Sequence, residues 1–159
     1  MKTFAKIIAA AAFAAALIGL STPSQAGFSI FSAFHVQPKV NATVSISQQK
    51  MYVDVTKNGL TQTYVWNVST GKSGFETPTG AYKPTWLSKN HISKTYDNAP
   101  MPFAVFFSGG YAIHATDAVS RLGNPASHGC VRLAPKNAAA FFQLVAAYGK
   151  GNTEIVITY

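Results

Sequence analysis

Alternation of apolar and polar residues in the first half of the chain constrains the fold most strongly. Val44 and Ile46 alternate with polar residues, and after an interruption at 48–49 the pattern resumes with the opposite parity over 51–55. A period of two is typical of a strand with one buried face. A change of parity indicates a bulge or a short turn between two strands. The sequence therefore predicts strands that pair through a tight connection.

Turn signals divide the rest of the chain into further short strands. Asn58-Gly59 matches a tight hairpin turn, because both residues accept positive φ. We predict the return strand over 60–69, and two more strands at the apolar runs 103–107 and 111–115.

One helix and a last strand complete the predicted elements. Pro135 can open a helix at its first turn, apolar residues then follow at helical spacing, and Gly149 can end it. Residues 153–159 alternate as a strand, whereas 70–102 is rich in Gly and Pro and is predicted to be one long functional loop. With 159 residues, these elements predict a mostly β or α+β fold: a single small β-sandwich-type domain with one main helix. We expect the phenylalanines and tryptophans to fill its core.

The amino-terminal stretch differs from the rest and predicts export. Lys2 and Lys6 precede an apolar, Ala-rich run over 7–20, and small residues stand at Ser24 and Ala26. This pattern is typical of a cleaved signal peptide, which we assign to residues 1–26. An uncleaved membrane anchor is the alternative, but the apolar run falls short of the roughly 20 residues that a spanning helix needs. Residues 27–41 are interpreted as an N-terminal arm.

The charge of the chain limits the class of partner. The formal net charge is +8, and removal of residues 1–26, which carry two lysines and no acid, leaves +6. A basic exported protein suits an anionic partner such as a wall polymer or a membrane surface. The lysines are scattered rather than clustered, which together with export argues against nucleic acid as a partner. We expect the protein in the periplasm or cell envelope.

A single cysteine, Cys130, is unusual in an exported chain because it has no partner for an internal disulfide. Three roles remain open from the count alone: a buried inert thiol, an intermolecular link or a reactive group.

Two of the four histidines lie close to that cysteine and favour the reactive role. His114 ends a short apolar strand, and His128 stands in Ser127-His128-Gly129-Cys130. An imidazole can take the proton of a thiol and hold a thiolate–imidazolium pair. Gly129 lets the backbone approach closely, so that amides at Gly129 and Cys130 are candidate donors to a developing oxyanion.

A general base also needs a group that orients its ring. No acid neighbours His114, so a backbone carbonyl is favoured as the orienting group, with Asp117 as a weaker candidate. Arg132 is a candidate anchor for a substrate carboxylate.

Each of these residues has a simpler alternative. His114 can be a core histidine, His128 a brace for the turn, and Arg132 a surface charge. A zinc site of His114, His128 and Cys130 is a chemical alternative, although ligands at adjacent-but-one positions demand a specially folded loop.

The segment 111–133, YAIHATDAVSRLGNPASHGCVRL, resembles the active-site signature of the L,D-transpeptidase catalytic domain, or YkuD domain. In that signature an upstream histidine is followed by a spacer, then by Ser/Thr-His-Gly-Cys, and usually by Arg or Asn two residues later. These parts fall on the following residues of this chain: His114, Ser127, His128, Gly129, Cys130 and Arg132.

The resemblance extends upstream of the signature and covers about residues 42–159, which we assign as the L,D-transpeptidase catalytic domain. VSISQQKMYVDVTKNG at 44–59 is similar to the opening hairpin of the family, and STGKSGFETPTGAY at 69–82 is similar to its StGk…TPtG segment. Ala115 departs from the Gly or Ser that many members carry after the histidine. The family orients its base with the main-chain carbonyl of that residue, so alanine should serve.

The resemblance implies a cysteine acyl-enzyme mechanism on peptidoglycan stem peptides. Cys130 would attack the carbonyl of the L-centre residue in a donor tetrapeptide, typically meso-diaminopimelate, and release D-alanine, with His114 as base. Ser127, His128 and Gly129 would shape the loop and its oxyanion donors, and Arg132 would position the loop or a substrate carboxylate. The acyl acceptor would be an amine on another stem peptide or on an envelope protein, with no metal or organic cofactor.

Two further functions remain open at this point. Water instead of an amine could resolve the acyl-enzyme, which would make the protein an L,D-carboxypeptidase. Alternatively, the chain could be a non-catalytic wall-binding protein, although binding alone does not need a Cys–His pair.

Overall fold

The structure, a computed structural model, describes residues 39–159. The expected signal peptide and residues 27–38 of the expected arm lie outside these residues. Within the described range no helix is long and apolar enough to cross a bilayer.

The described residues form nine strands and one α-helix. Their bounds are, in chain order, β1 Lys39–Ser45, β2 Lys50–Lys57, β3 Leu60–Asn67, β4 Gly80–Tyr82, β5 Trp86–Ile92, β6 Pro100–Ser108, β7 Tyr111–Ala115, β8 Val131–Leu133, α1 Pro135–Tyr148 and β9 Thr153–Thr158. Two short 3-10 turns, Val119–Arg121 and Lys150–Asn152, lie between these elements.

One sheet has five strands in the order β3-β2-β1-β9-β4. The parity change predicted from the sequence is a turn that ends at Gln49, whose φ is +51°. Asn58 and Gly59, with φ of +52° and +78°, make the predicted hairpin between β2 and β3. Strand β1 pairs in parallel with β9, so that Val40 lies opposite Thr153.

The other sheet has four strands in the order β5-β6-β7-β8. Strands β5, β6 and β7 are antiparallel neighbours, whereas β8 pairs in parallel with β7. Helix α1 packs mainly on β6 and β7. Pro135 stands in its first turn as predicted, and Gly149 ends it with φ of +87° and an amide that donates to Val145 O.

The core is built mainly from β-branched residues rather than from aromatic ones. The largest fully buried side chains are Phe141, Met51, Ile113, Leu133, Ile155, Ile157, Val40, Val44, Val53, Val68, Val105 and Val131. The expectation that phenylalanines and tryptophans fill the core is therefore wrong in part. Trp86 is 52% exposed and Phe75 43% exposed, because each lies on a surface away from the packed faces.

The fold class predicted from the sequence is confirmed, with local differences. The segment 70–102 is not one long loop, since it contains β4 and β5. The short β4 and the polar edge strand β5 have no clear alternation of apolar and polar residues, so the sequence pattern does not predict them as strands. Strand β8 has only three residues and was missed for the same reason. Strand β1 begins at Lys39, within the segment interpreted as an arm.

Candidate active site

The parallel pairing of β7 with β8 brings His114 and Cys130 to the same face of the four-stranded sheet. His114 lies opposite Arg132 and Ile113 opposite Val131, while Cys130 directly precedes β8. Because side chains alternate along a strand, Ile113 and Val131 enter the core together. His114, Cys130 and Arg132 then share the opposite face.

That face opens into a cavity of about 540 Å³ whose walls include both the imidazole and the thiol. The turn between β5 and β6 and the start of β6 form one wall, and the residues after β7 form another. The lining residues are Ser93, Tyr96, Asp97, Ala99, Pro100, Met101, Pro102, His114, Ala115, Thr116, Asp117, Ala118, His128, Cys130 and Arg132.

His114 is held as a neutral base. Its side chain is only 6% exposed, and its Nδ1 lies 2.7 Å from Ala115 O. A carbonyl oxygen only accepts, so Nδ1 carries the hydrogen and Nε2 keeps its lone pair. The pKa of His114 is lowered to about 4, chiefly by burial; the hydrogen bond to Ala115 O raises it, and the nearby charges of Arg132 and His91 lower it. At neutral pH the ring is therefore free to accept a proton.

Cys130 rests as a protonated thiol at neutral pH. Burial raises the pKa of its sulfur, while a backbone hydrogen bond from Ala112 and the charge of Arg132 act in the opposite direction. Its Sγ lies 4.0 Å from Gly110 O, at the limit of a weak S–H hydrogen bond. Together with the low pKa of His114, this favours proton transfer during attack over a preformed thiolate–imidazolium pair.

Ser127 fixes the loop that carries the sulfur. Its buried hydroxyl donates to Cys130 O at 2.6 Å and accepts from the Gly129 amide at 3.0 Å. Gly129 has φ of +105°, and a Cβ there would lie 2.4 Å from a ring carbon of Tyr111. The position thus needs glycine for both its backbone and its packing.

The hydrogen bond from Gly129 corrects one expectation from the sequence. Its amide already donates to Ser127 Oγ, so it is not available for an oxyanion. The Cys130 amide remains the candidate donor in this loop.

The segment that follows β3 supports the nucleophile loop through its backbone. Ser69 and Arg132 exchange two amide–carbonyl hydrogen bonds of 3.0 and 2.9 Å. The Ser127 amide donates to Thr70 O at 2.9 Å, and Ser127 O accepts from the Lys72 amide at 3.1 Å. The STGK motif therefore has a structural role: it adds a strand-like edge to the loop that ends at Cys130.

Gln49 connects this segment to the first sheet. Its side-chain amide nitrogen donates to Thr70 Oγ1 at 2.6 Å and to Ile46 O at 2.8 Å, and its Oε1 accepts from the Thr70 amide at 3.0 Å. Gln49 is 4% exposed, so this network is inside the protein. Sequence reasoning noted Gln49 as a break in alternation and within the segment that resembles the opening hairpin of the family, but not as a partner of Thr70.

His128 and Arg132 contact the loops around the cavity. The His128 ring stacks on Tyr96 at 4.8 Å and meets Phe75 edge-on at 4.7 Å, so it connects the loop before β4 to the turn after β5. Arg132 donates through a guanidinium nitrogen to Ala126 O at 3.2 Å.

Sequence reasoning missed the opposite wall of the cavity. Tyr96 and Asp97 lie in the β5–β6 turn, about 33 residues before Cys130, and no motif marks them. Asp117, considered as an orienting group for His114, lies on the cavity wall, while Ala115 O takes the orienting role. Among residues 39–159, no group of three or more His, Cys, Asp or Glu side chains is arranged to hold a metal ion.

The described residues thus place a buried neutral imidazole and a thiol on the wall of one cavity, in a two-sheet domain with one helix. The model of the L,D-transpeptidase catalytic domain, YkuD, matches residues 39–157 of this sequence. The chain belongs to this family.

Solved structures with the same fold are L,D-transpeptidases. One from Mycobacterium smegmatis is 22% identical with a TM-score of 0.66, over 77% of this chain and 59% of that one. L,D-transpeptidase 3 from Mycobacterium tuberculosis, in complex with a faropenem-derived adduct, is 21% identical with a TM-score of 0.67, over 77% and 61%. One from Stackebrandtia nassauensis is 22% identical with a TM-score of 0.64, over 82% and 60%.

The matched region thus spans about three fifths of these structures. A search of curated proteins finds no match to the sequence.

Proposed function

We propose that this protein is a cysteine-dependent L,D-transpeptidase that acts on peptidoglycan stem peptides. The observation that carries the proposal is that a neutral His114 imidazole and the Cys130 thiol both line one cavity. The Nδ1 hydrogen bond to Ala115 O leaves Nε2 as the basic nitrogen. Membership of the YkuD family supports the same chemistry.

The first half of the reaction forms a thioester. Cys130 Sγ attacks the carbonyl carbon of the third residue of a donor tetrapeptide, and its proton passes to His114 Nε2. The C–N bond to D-alanine then breaks, and the imidazolium returns the proton to the departing amine. The Cys130 amide is the loop donor proposed for the oxyanion.

The second half transfers the acyl group to an amine. The incoming amine gives a proton to His114 and attacks the thioester carbon, and the Cys130 thiolate leaves and recovers the proton. We propose an amine of another stem peptide, or of an envelope protein, as the acceptor. The protein would work in the periplasm or cell envelope, as the signal-like residues 1–26 suggest. The mechanism uses no metal or organic cofactor.

Acylation by a carbapenem tests the nucleophile. A β-lactam opened by Cys130 would add its whole mass once, because ring opening expels no leaving group. We expect one such adduct by intact-mass measurement on the wild-type protein, none on Cys130→Ala, and a rate at least ~100-fold lower on His114→Ala. An unmodified wild-type protein would count against the proposal.

His128 provides a matched control for the base, since it is a second histidine on the same cavity. Its ring packs between Phe75 and Tyr96, so we assign it a structural role. His128→Ala should therefore slow acylation less than His114→Ala. Equal losses would mean that the base has been assigned to the wrong histidine.

Product analysis with purified stem peptides separates transfer from hydrolysis. Cross-linked dimer together with free D-alanine supports the transpeptidase. Release of D-alanine without dimer, at saturating acceptor, would make the protein an L,D-carboxypeptidase. Wall binding without D-alanine release, retained in Cys130→Ala, would make it a non-catalytic binding protein. Stoichiometric zinc in purified protein would overturn the thiol mechanism.

A further inference from the structure

An exposed aromatic cluster lies on the four-stranded sheet beside the active site. We define this aromatic platform by Trp86, His91 and Phe106. Trp86 and Phe106 are paired in register and stack with ring centroids 4.8 Å apart and planes 19° apart. The His91 ring meets both edge-on, at 5.3 Å from Trp86 and 4.9 Å from Phe106. Trp86 remains 52% exposed, while Phe106 beneath it is 5% exposed.

The platform is continuous with the nucleophile. Phe106 belongs to a small buried cluster with Met101, Ala104 and Ala112, and Cys130 packs against this same cluster. Phe106 also lies opposite Ala112 in the sheet. A layer of buried apolar side chains therefore connects the sulfur, across two strands, to the exposed indole of Trp86.

The platform is held rigidly, which distinguishes it from a scattered surface hydrophobe. The Thr85 amide and hydroxyl both donate to Phe106 O, at 2.8 and 3.2 Å. Lys150 Nζ donates to Thr85 O at 2.6 Å. A ring already fixed by stacking and by its anchored backbone loses little conformational entropy when a ligand packs on it.

The distance from Cys130 to Trp86 suits a substrate that carries a sugar. The two residues are separated by three strand steps, roughly 14 Å at ~4.8 Å a step. An extended peptide covers ~3.3–3.6 Å per residue, so three stem residues reach roughly 10 Å. When the carbonyl of the third stem residue lies at the sulfur of Cys130, the three residues cover most of the distance to Trp86. The sugar that is attached to the amino end of the stem then reaches the platform. The C–H face of a sugar ring is apolar and flat enough to stack on an indole.

We propose that the aromatic platform is a subsite for a sugar ring of the glycan strand that carries the donor stem peptide. This proposal rests on the function proposed above. The platform would hold the glycan while the stem peptide reacts in the cavity beside His114. The enzyme would therefore prefer donors that remain attached to glycan.

The test compares two donors, a free tetrapeptide and the same tetrapeptide on its disaccharide. We expect wild-type kcat/KM for D-alanine release to be about tenfold higher with the disaccharide, the factor that one aromatic contact of about 1.4 kcal/mol supplies. In Trp86→Ala this ratio should fall to about one, and Trp86→Phe should restore most of it. Leu60→Ala, which removes an exposed apolar residue from the other sheet, should leave the ratio unchanged.

A binding measurement tests the platform without turnover. The chain has two tryptophans, so Trp66→Phe leaves Trp86 as the sole indole and Trp86→Phe leaves Trp66. Titration with the disaccharide alone should change the emission of Trp66→Phe in a saturable way and leave Trp86→Phe unaffected.

The outcomes separate this proposal from the function itself. Turnover of both donors at equal kcat/KM, or a preference that survives in Trp86→Ala, would overturn the platform and leave the transpeptidase intact. An equal loss on both donors in Trp86→Ala would assign the residue to the peptide or to stability, which also overturns the platform. If neither donor is turned over, the proposed function fails, and the fluorescence titration still decides whether the platform binds sugar.

Discussion

The buried state of His114 predicts how the stability of the protein depends on pH. In the unfolded chain its imidazole takes a proton near pH 6.5, whereas in the folded protein burial lowers its pKa to about 4. Between these values the unfolded state binds more protons, so acid favours unfolding. The free energy of unfolding that depends on a neutral His114 is fully present above pH 6.5 and is lost as the pH falls from 6.5 to 4.

The size of the effect follows from the two pKa values. At about 1.36 kcal/mol per pH unit, the interval from 6.5 to about 4 corresponds to about 3 kcal/mol of unfolding free energy. About 2 kcal/mol of this is lost by pH 5, where most carboxylates are still ionised. This is a large share of the 5–15 kcal/mol that is typical of a folded domain.

Urea denaturation at pH 5.0, 6.0, 7.0 and 8.0 measures this loss. His114→Asn is the control, because its side-chain amide nitrogen stands at the position of Nδ1 and can still donate to Ala115 O, but it has no proton to gain in this range. We expect the wild-type protein to lose about 2 kcal/mol more than the variant between pH 7.0 and 5.0. Parallel curves for the two proteins, or an NMR titration of His114 centred near pH 6.5, would refute the reasoning.

Three further predictions concern the loop that carries the sulfur. Gly129→Ala should lower the free energy of unfolding in urea by about 2–4 kcal/mol and slow carbapenem acylation, because the φ of +105° and the Tyr111 ring both oppose a Cβ. An unchanged acylation rate would mean that the loop tolerates movement. Ser127→Ala leaves the Gly129 amide unpaired and should cost about 1–3 kcal/mol by thermal unfolding, with Ser127→Thr as the variant that keeps the hydroxyl. Gln49→Met keeps the volume but removes the hydrogen bonds to Thr70, so it should lower both stability, by about 2 kcal/mol, and the acylation rate; loss of stability alone would separate Gln49 from the site.

Local signals account for what the sequence predicted well. The β2–β3 hairpin follows from Asn58-Gly59, and the bounds of α1 follow from Pro135 and Gly149, because these residues restrict the backbone directly. The family was also predictable, since its signature stands in one contiguous segment that the family model covers.

Long-range contacts explain what the sequence did not predict. Nothing local to Gln49 indicates that its side chain meets Thr70, 21 residues later, or that Tyr96 stacks on His128. The hydrogen bond from the Gly129 amide to Ser127 Oγ depends on the backbone conformation of the loop, which residue types alone do not specify. The polar strand β5 was not predicted because it lies at the edge of the sheet and is mostly exposed, so its residues do not alternate between apolar and polar.

The parallel pairing of β1 with β9 has a consequence for when the protein can fold. Val40 and Thr153 lie side by side in the first sheet, so a loop of more than 100 residues has to close before that sheet is complete. Strand β1 therefore cannot complete its pairing until β9, more than 100 residues later, has been made and has docked. His114 and Cys130 are brought to one face by β7 and β8 of the other sheet, so their approach does not require this closure.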